Sequence, residues 1–236
     1  MKNLRLYQPN LIEENSTIKL SKEHSHYLFS VMRKKAGDKI NLFNKQGEWS
    51  AKIINTSKNE TEIMLLEKVK IAKVTKNLEL AICLVKKNPM DLILQKAAEL
   101  GVSKIIPLVS ERTEVKELNH ERAMKIVIEA TEQSNQLSPP EITQVTKLND
   151  FIDQFNDQNL LLFADVNSKN VLDKNKAQGK NLSILIGPEG DFSPDERALI
   201  TSKLSTYCFS LSSNILRTDT AVIAAISLVN FINNSY

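Results

Sequence analysis

The chain has 236 residues, 42% of them apolar, and a formal net charge of +3. That length suits one large domain or two small ones, and that apolar content supports a packed core and argues against wholesale disorder. The start of the chain lacks the apolar run of a signal peptide. The longest apolar stretch, residues 220–232, falls short of the roughly 20 residues that a membrane span requires, so a soluble, cytoplasmic protein without membrane contact is expected.

Charge is unevenly spread. Residues 1–70 carry 13 Lys/Arg against 8 Asp/Glu, whereas residues 71–236 carry 18 against 20. A small basic module on a near-neutral larger one fits a nucleic-acid contact surface, although ordinary solvated lysines give the same balance. The first module reads mostly as β-structure. Ser21 can cap a helix over 21–33, with His24 at its third position and Tyr27, Leu28, Val31 and Met32 as an apolar stripe. Residues 39–43 and 49–54 are predicted strands joined by a turn over 44–47 that places Gly47 at positive φ, and residues 62–67 form a third strand. A small barrel with one helix accommodates these elements. His24 and His26 diverge on a helix and predict no metal site.

From about residue 76 strands alternate with helices, which implies a mostly parallel sheet. Residues 78–85 are a buried strand. A helix opens at Pro89 and stops at Gly101 as a left-handed cap. Residues 104–109 are a strand, and Asn119 caps a helix running to about Gln133. Residues 160–164 and 182–186 are apolar on both faces, as strands covered on two sides are. Residues 165–180 read as an exposed loop or a weak helix. The two cysteines, Cys83 and Cys208, lie inside apolar runs without zinc-site spacing and read as reduced, buried thiols.

Two segments carry most of the chemistry, 185–196 and 211–221. Each follows an apolar run and precedes a helical pattern, so each is a strand-to-helix loop of the kind that binds ligands in open α/β sheets. Their closeness in sequence predicts neighbouring strands and one shared pocket. In the first, Ser193, Pro194, Asp195 and Glu196 form a capping box that starts a helix. Gly187 and Gly190 permit close backbone approach to a ligand, or simply a tight turn. No dinucleotide fingerprint and no Walker-type loop occurs. In the second, Ile215 and Leu216 are apolar residues in mid-loop, expected to plug a core or wall a pocket. Arg217 begins a helix, where its charge opposes the dipole, which points to an anionic partner or to an ion pair with Asp219 or Glu189. The final helix, 220–233, is apolar nearly all round and is expected to be covered on more than one side, by a central position or by a second subunit.

In order along the chain, Ile186–Gly190 followed by Leu211, Asn214, Ile215, Leu216, Arg217, Thr218, Asp219, Thr220 and Ala221 resemble the RsmE-type rRNA methyltransferases of the SPOUT superfamily. Residues 4–7, 26–33 with Gly37 and Asp38, 96–102, 110–112 and 129–134 before Pro139 fit the same pattern, so the resemblance covers nearly the whole chain. It implies an α/β protein: a small PUA-like, RNA-binding β-barrel at 1–72, then a SPOUT methyltransferase domain at 73–236 with a C-terminal trefoil knot. It implies a homodimer through the knot region and the C-terminal helix that uses S-adenosylmethionine to methylate N3 of a uridine in ribosomal RNA of the small subunit (16S).

The implied cofactor residues are Phe163, Ala164, Ile186, Gly187, Pro188 and Gly190 on one side and Leu211, Ser212, Asn214, Ile215, Leu216, Thr218 and Ala221 on the other. The implied catalytic groups are Arg217, at the uracil oxygens, and Glu189, with Asp219 a further candidate proton acceptor. Arg5, Arg33, Lys34, Lys35 and Arg112 are assigned to RNA. The chain departs from the family pattern at Asp191 and Ser212, where glycine is usual, at Asp219, where glutamate is usual, and at Asn135 and Gln136, where Gly-Arg is usual. Two alternatives use the same residues: methylation of another rRNA or tRNA nucleotide, and a non-catalytic RNA-binding ribosome assembly factor.

Overall fold

The computed structural model describes residues 4–10, 13–72, 77–177 and 180–233. The chain divides into two compact units, Met1–Val74 with Thr131–Ser138, and Thr75–Ala130 with Pro139–Tyr236.

The first unit contains β1 (Arg5–Tyr7), β2 (Thr17–Lys19), α1 (Lys22–His26), β3 (Lys39–Asn44), β4 (Gly47–Thr56) and β5 (Thr61–Ile71). The strands lie in the order β1-β3-β4-β5-β2, with β1 parallel to β3 and the other pairs antiparallel. Alternate residues point inward, so Ile40, Leu42, Ala51, Ile53, Ile63 and Leu65 form one core with Leu6 and Leu28. Register shifts along β4 and β5 supply the bending that so small a sheet needs to enclose a core. Gly47 closes the β3–β4 hairpin at φ +153°, and a Cβ there would lie 2.4 Å from the Lys70 carbonyl oxygen.

Ser21 caps α1 through the amide of His24, as the sequence predicts. The predicted helix does not continue regularly. Residues Tyr27–Val31 form a π-helical turn, and the Met32 amide donates to the Tyr27 carbonyl at 2.9 Å. The wider turn rotates the following residues off the core face. Leu28 is therefore buried while Val31 and Met32, expected in the same stripe, are exposed.

The second unit contains β6 (Leu78–Cys83), α2 (Lys87–Glu99), β7 (Lys104–Val109), most of α3 (His120–Gln133), β8 (Glu141–Ile142), β9 (Thr146–Lys147), α4 (Leu148–Gln154), β10 (Leu160–Ala164), α5 (Lys174–Ala177), β11 (Leu182–Ile186), α6 (Pro194–Ser202), β12 (Thr206–Phe209) and α7 (Thr218–Ile232). The strand order is β12-β10-β11-β6-β7-β8, with β9 also on β7, and every pairing is parallel. The apolar runs of the sequence follow from this. Leu80, Ile82, Leu162 and Ile184 face one core with residues of α2, α3 and α7, while Ala81, Cys83, Leu161, Phe163 and Leu185 face another with residues of α4 and α6.

Gly101 stops α2 at φ +80°, with the Gly101 amide on the Ala98 carbonyl and the Val102 amide on the Ala97 carbonyl. That pair of bonds satisfies two carbonyls at the helix end. Asn119 caps α3 through the amide of Arg122. Within 165–180, the short α5 buries Ala177, and Leu172 just before it is buried too. The residues ahead of it hydrogen-bond along β12: Ser210 donates its amide to the Asn170 carbonyl at 2.8 Å, and the Tyr207 hydroxyl donates to the Val171 carbonyl at 2.9 Å. No helix among the described residues is long and apolar enough to cross a membrane.

Candidate active site

The parallel register brings three strand ends to one edge of the second unit. Ala164 lies beside Phe209, Phe163 beside Leu185, and Ile186 beside Ile82. The two informative loops leave this edge, but not from adjacent strands as expected. β10 lies between β11 and β12. The chain after β11 passes β10 to form β12, and α7 then returns to cover the core that Ile184 and Ile186 face. The end of β10, with Phe163 and Ala164, thus stands between the two loops rather than beside them.

The loop after β11 is heavily braced. Phe192 is buried and meets Phe163 edge-on, with ring centroids 5.6 Å apart. Gly187 lies against that ring: a Cβ there would sit 3.0 Å from the nearest Phe192 carbon. Pro188 and Ile186 are buried. The Asp191 amide donates to the Pro188 carbonyl at 3.0 Å, and Arg112 donates to the Gly190 carbonyl at 3.0 Å. The capping box predicted at Ser193 is complete: Ser193 Oγ accepts from the Glu196 amide, and Glu196 Oε2 accepts from the Ser193 amide. The other oxygen of Glu196 accepts from the Glu111 amide at 2.7 Å, tying this helix start to the residues after β7. Glu189, one of the two predicted catalytic groups, points into solvent.

The loop after β12 is open. Ile215 is 91% exposed, so it does not plug the core; Leu216 is half-buried. Leu211, Ser212 and Ala221 are half-buried, Asn214 is exposed and Thr218 is buried. Ser212 Oγ accepts from the Asn214 amide at 3.0 Å. Arg217 is the N-cap of α7, which begins two residues earlier than the sequence pattern indicated. Its side chain is 75% exposed, with Nε 3.8 Å from Asp219 Oδ1, a loose pair that leaves the guanidinium open to an anionic partner. On α7, Val222, Ala225, Ile226, Val229 and Ile232 are buried, whereas Ile223, Ala224 and Leu228 are half-buried and Phe231 is exposed.

Among the residues expected at RNA, Arg33 and Lys35 are exposed and Lys34 is half-buried, on the segment leading into β3. Arg33 has φ +51°. Arg5 is a correction. It is 6% exposed and paired with Glu48, and it donates to the carbonyls of Thr131, Glu132 and Gln136. The Thr131 and Glu132 carbonyls are orphan acceptors in the last turn of α3 and Gln136 follows that turn, so Arg5 caps the helix end and complements its dipole, and its five N–H groups are spent. A buried, fully engaged guanidinium has nothing left for a phosphate.

Three residues beside the glycine loop escaped sequence reasoning: Asp165, Phe192 and Arg197. Arg197 pairs with both Asp165 and Asp191. Burial works against the charge of Arg197, but its bonds to Asp165 and the field of Asp191 outweigh it and raise its pKa. An aromatic two residues past a glycine pair was the available signal for Phe192; nothing local marked the other two. Both cysteines are free thiols. Burial pushes Cys83 up to about 12, and half-buried Cys208 is raised as well, first by burial and then by Asp165.

Known proteins share this arrangement. Residues 72–230 match the RNA methyltransferase domain family, and residues 20–63 match the RNA methyltransferase PUA domain. The ribosomal RNA small subunit methyltransferase E of Rickettsia conorii is 37% identical over 99% of this chain and 98% of its own. That of Bacillus subtilis is 27% identical over 93% and 92%. Among solved structures, ribosomal RNA small subunit methyltransferase E from Neisseria gonorrhoeae, bound to S-adenosyl methionine, superposes with a TM-score of 0.91 at 26% identity over 98% of both chains. A Legionella pneumophila chain in complex with the cofactor SAM superposes equally well, with a TM-score of 0.91, 28% identity and 99% of both chains covered. With a PUA-like unit followed by a SPOUT-type α/β unit, the chain belongs to the RsmE-type RNA methyltransferase family.

Proposed function

We propose that this protein transfers the methyl group of S-adenosylmethionine to N3 of a uridine in 16S ribosomal RNA of the small subunit. The observation that carries the proposal is the convergence of the β10, β11 and β12 ends with a braced glycine loop on one side and an open, arginine-bearing loop on the other. Relatives of the same fold hold that cofactor. The residues fit such a ligand. Gly187 and Gly190 leave backbone uncovered, Ile186, Pro188, Ala164 and Phe163 give an apolar wall, and Leu211, Leu216 and Thr218 give the facing one, with Ser212, Asn214, Ile215 and Ala221 around it.

When bound, the cofactor supplies an activated methyl group on a sulfonium. The protein must hold the acceptor nitrogen in line and remove its proton. Arg217 stabilises the negative charge that develops on the uracil oxygens, as preorganised charge does elsewhere. Glu189 and Asp219 are the carboxylates available to take the proton. Residues 1–72 act as the RNA-binding barrel through Arg33, Lys34 and Lys35, residues 73–236 as the methyltransferase, and Arg112 adds a contact to RNA. The exposed Ile215 and Phe231, with the half-buried Ile223 and Ala224 on α7, support a homodimer through the C-terminal helix and the region that the family pattern makes the knot. The protein acts in the cytoplasm, on its ribosomal substrate.

The test is methyl transfer from labelled S-adenosylmethionine to small subunits and to naked 16S rRNA from a strain lacking the enzyme, followed by primer extension. A single new stop at a uridine is expected. A stop at another base, or label only in tRNA, redirects the activity, and no transfer to any RNA refutes it.

A further inference from the structure

Arg197, on the first turns of α6, joins the ends of two neighbouring strands. Its Nη1 donates to Asp165 Oδ1, directly after β10, and its Nη2 donates at 2.7 Å to Asp191 Oδ2, in the loop after β11. Its guanidinium carbon lies 5.6 Å from the centroid of Phe163, the ring that meets Phe192. Each aspartate is costly alone. Asp165 is 8% exposed, and a buried carboxylate needs a partner. Asp191 sits at φ +58°, a region that residues other than glycine adopt at a cost. The Asp191 carboxylate is used on both sides, since Oδ1 accepts from the Phe192 amide at 2.8 Å while Oδ2 meets Arg197. One arginine therefore neutralises a buried charge and secures a strained turn.

We propose that Arg197 is a positioning residue for S-adenosylmethionine: by bridging Asp165 and Asp191 it holds the end of β10 and the 187–192 loop at one spacing, so that the cofactor meets a preformed wall. This rests on the function proposed above. The tied residues are the immediate neighbours of Ala164 and Gly190, so a change in the bridge reaches the wall within one peptide unit. Without the bridge the loop samples several spacings, and apparent affinity falls by the fraction of time the wall is assembled. The acceptor RNA does not enter this equilibrium, so its apparent affinity is unaffected.

Two variants test the proposal, with cofactor affinity from calorimetry, amide hydrogen exchange at Asp191 and Phe192 without ligand, and methyl transfer at saturating cofactor. Arg197→Met is expected to weaken cofactor binding about tenfold and to speed exchange at those two amides, with turnover at saturation within about threefold and KM for RNA within about twofold. Asp191→Gly guards against a folding artefact, because glycine adopts the turn without strain. It is expected to keep or raise the melting temperature and still weaken cofactor binding severalfold, a combination that a purely structural role does not give. Cofactor affinity within twofold of the parent in both variants overturns the proposal. So does an affinity loss in Arg197→Met that accompanies faster exchange across the whole second unit, with Asp191→Gly unaffected. If the parent protein itself shows no cofactor binding, the proposed function fails; parent binding with unaffected variants removes only the role of Arg197.

Discussion

The two loops that flank the candidate pocket are built in opposite ways. The 187–192 loop is held by Phe192 beneath Gly187, by Arg112 on the Gly190 carbonyl and by Arg197 on Asp191. The loop after β12 exposes Ile215 and Arg217, and its side-chain hydrogen bonds join its own residues, Ser210 Oγ to the Ser212 carbonyl and the Asn214 amide to Ser212 Oγ. A braced loop fixes a ligand's position in advance, whereas an open one gains its order from what it meets. One wall of the site is thus finished by contacts within the chain, and the other is left open.

The sharpest way to break this contrast is Arg217→Ala, which removes charge from the open loop alone. Turnover should fall about 100-fold or more while cofactor affinity changes less than twofold, read from single-turnover methyl transfer and calorimetry. Equal losses in both would place Arg217 in the binding wall instead. Next in size, Ile215→Glu places a charge on the exposed tip. For the proposed homodimer, the dissociation constant from sedimentation equilibrium should weaken about tenfold or more, and an unchanged constant would mean that Ile215 serves the ligand or nothing.

On the braced side, Gly187→Ala forces a methyl to within 3.0 Å of the Phe192 ring. Because that ring is fixed by Phe163, the loop must shift, and cofactor affinity should drop severalfold with a melting temperature lowered by a few degrees. The smallest effect lies in the first unit. Burial holds the imidazole of His24 below its ordinary value of 6.5, outweighing Glu23, which raises it. The unfolded chain then takes up the proton first, so stability present above about pH 6.5 is lost as pH falls through the lowered folded-state pKa. His24→Gln should flatten the fall in melting temperature between neutral and mildly acid pH; an unchanged slope would assign it to other groups.

Local chemistry was legible where it acts over a few residues. The capping box at Ser193, the caps at Ser21 and Asn119 and the left-handed stop at Gly101 all occur as their residue types require. Apolar runs identified the central strands because both faces of a parallel sheet are covered. The short strands β1, β2, β8 and β9 were not legible, since two or three residues show no periodicity. Nor was the π-helical turn after His26, which left Val31 and Met32 outside the core.

Arg5 and Arg197 mark the boundary between what each level decides. The sequence by itself determined the two-part organisation, the glycine loop, the arginine-bearing loop and the family pattern that joins them, because these depend on residue type and spacing along the chain. Only the tertiary structure decided that Arg5 caps α3 rather than faces RNA, that β10 separates β11 from β12, and that Arg197 bridges Asp165 and Asp191. The physical reason is range: a capping bond or turn closes within four residues, whereas the partner of a charge is whichever group the fold brings within a few ångströms.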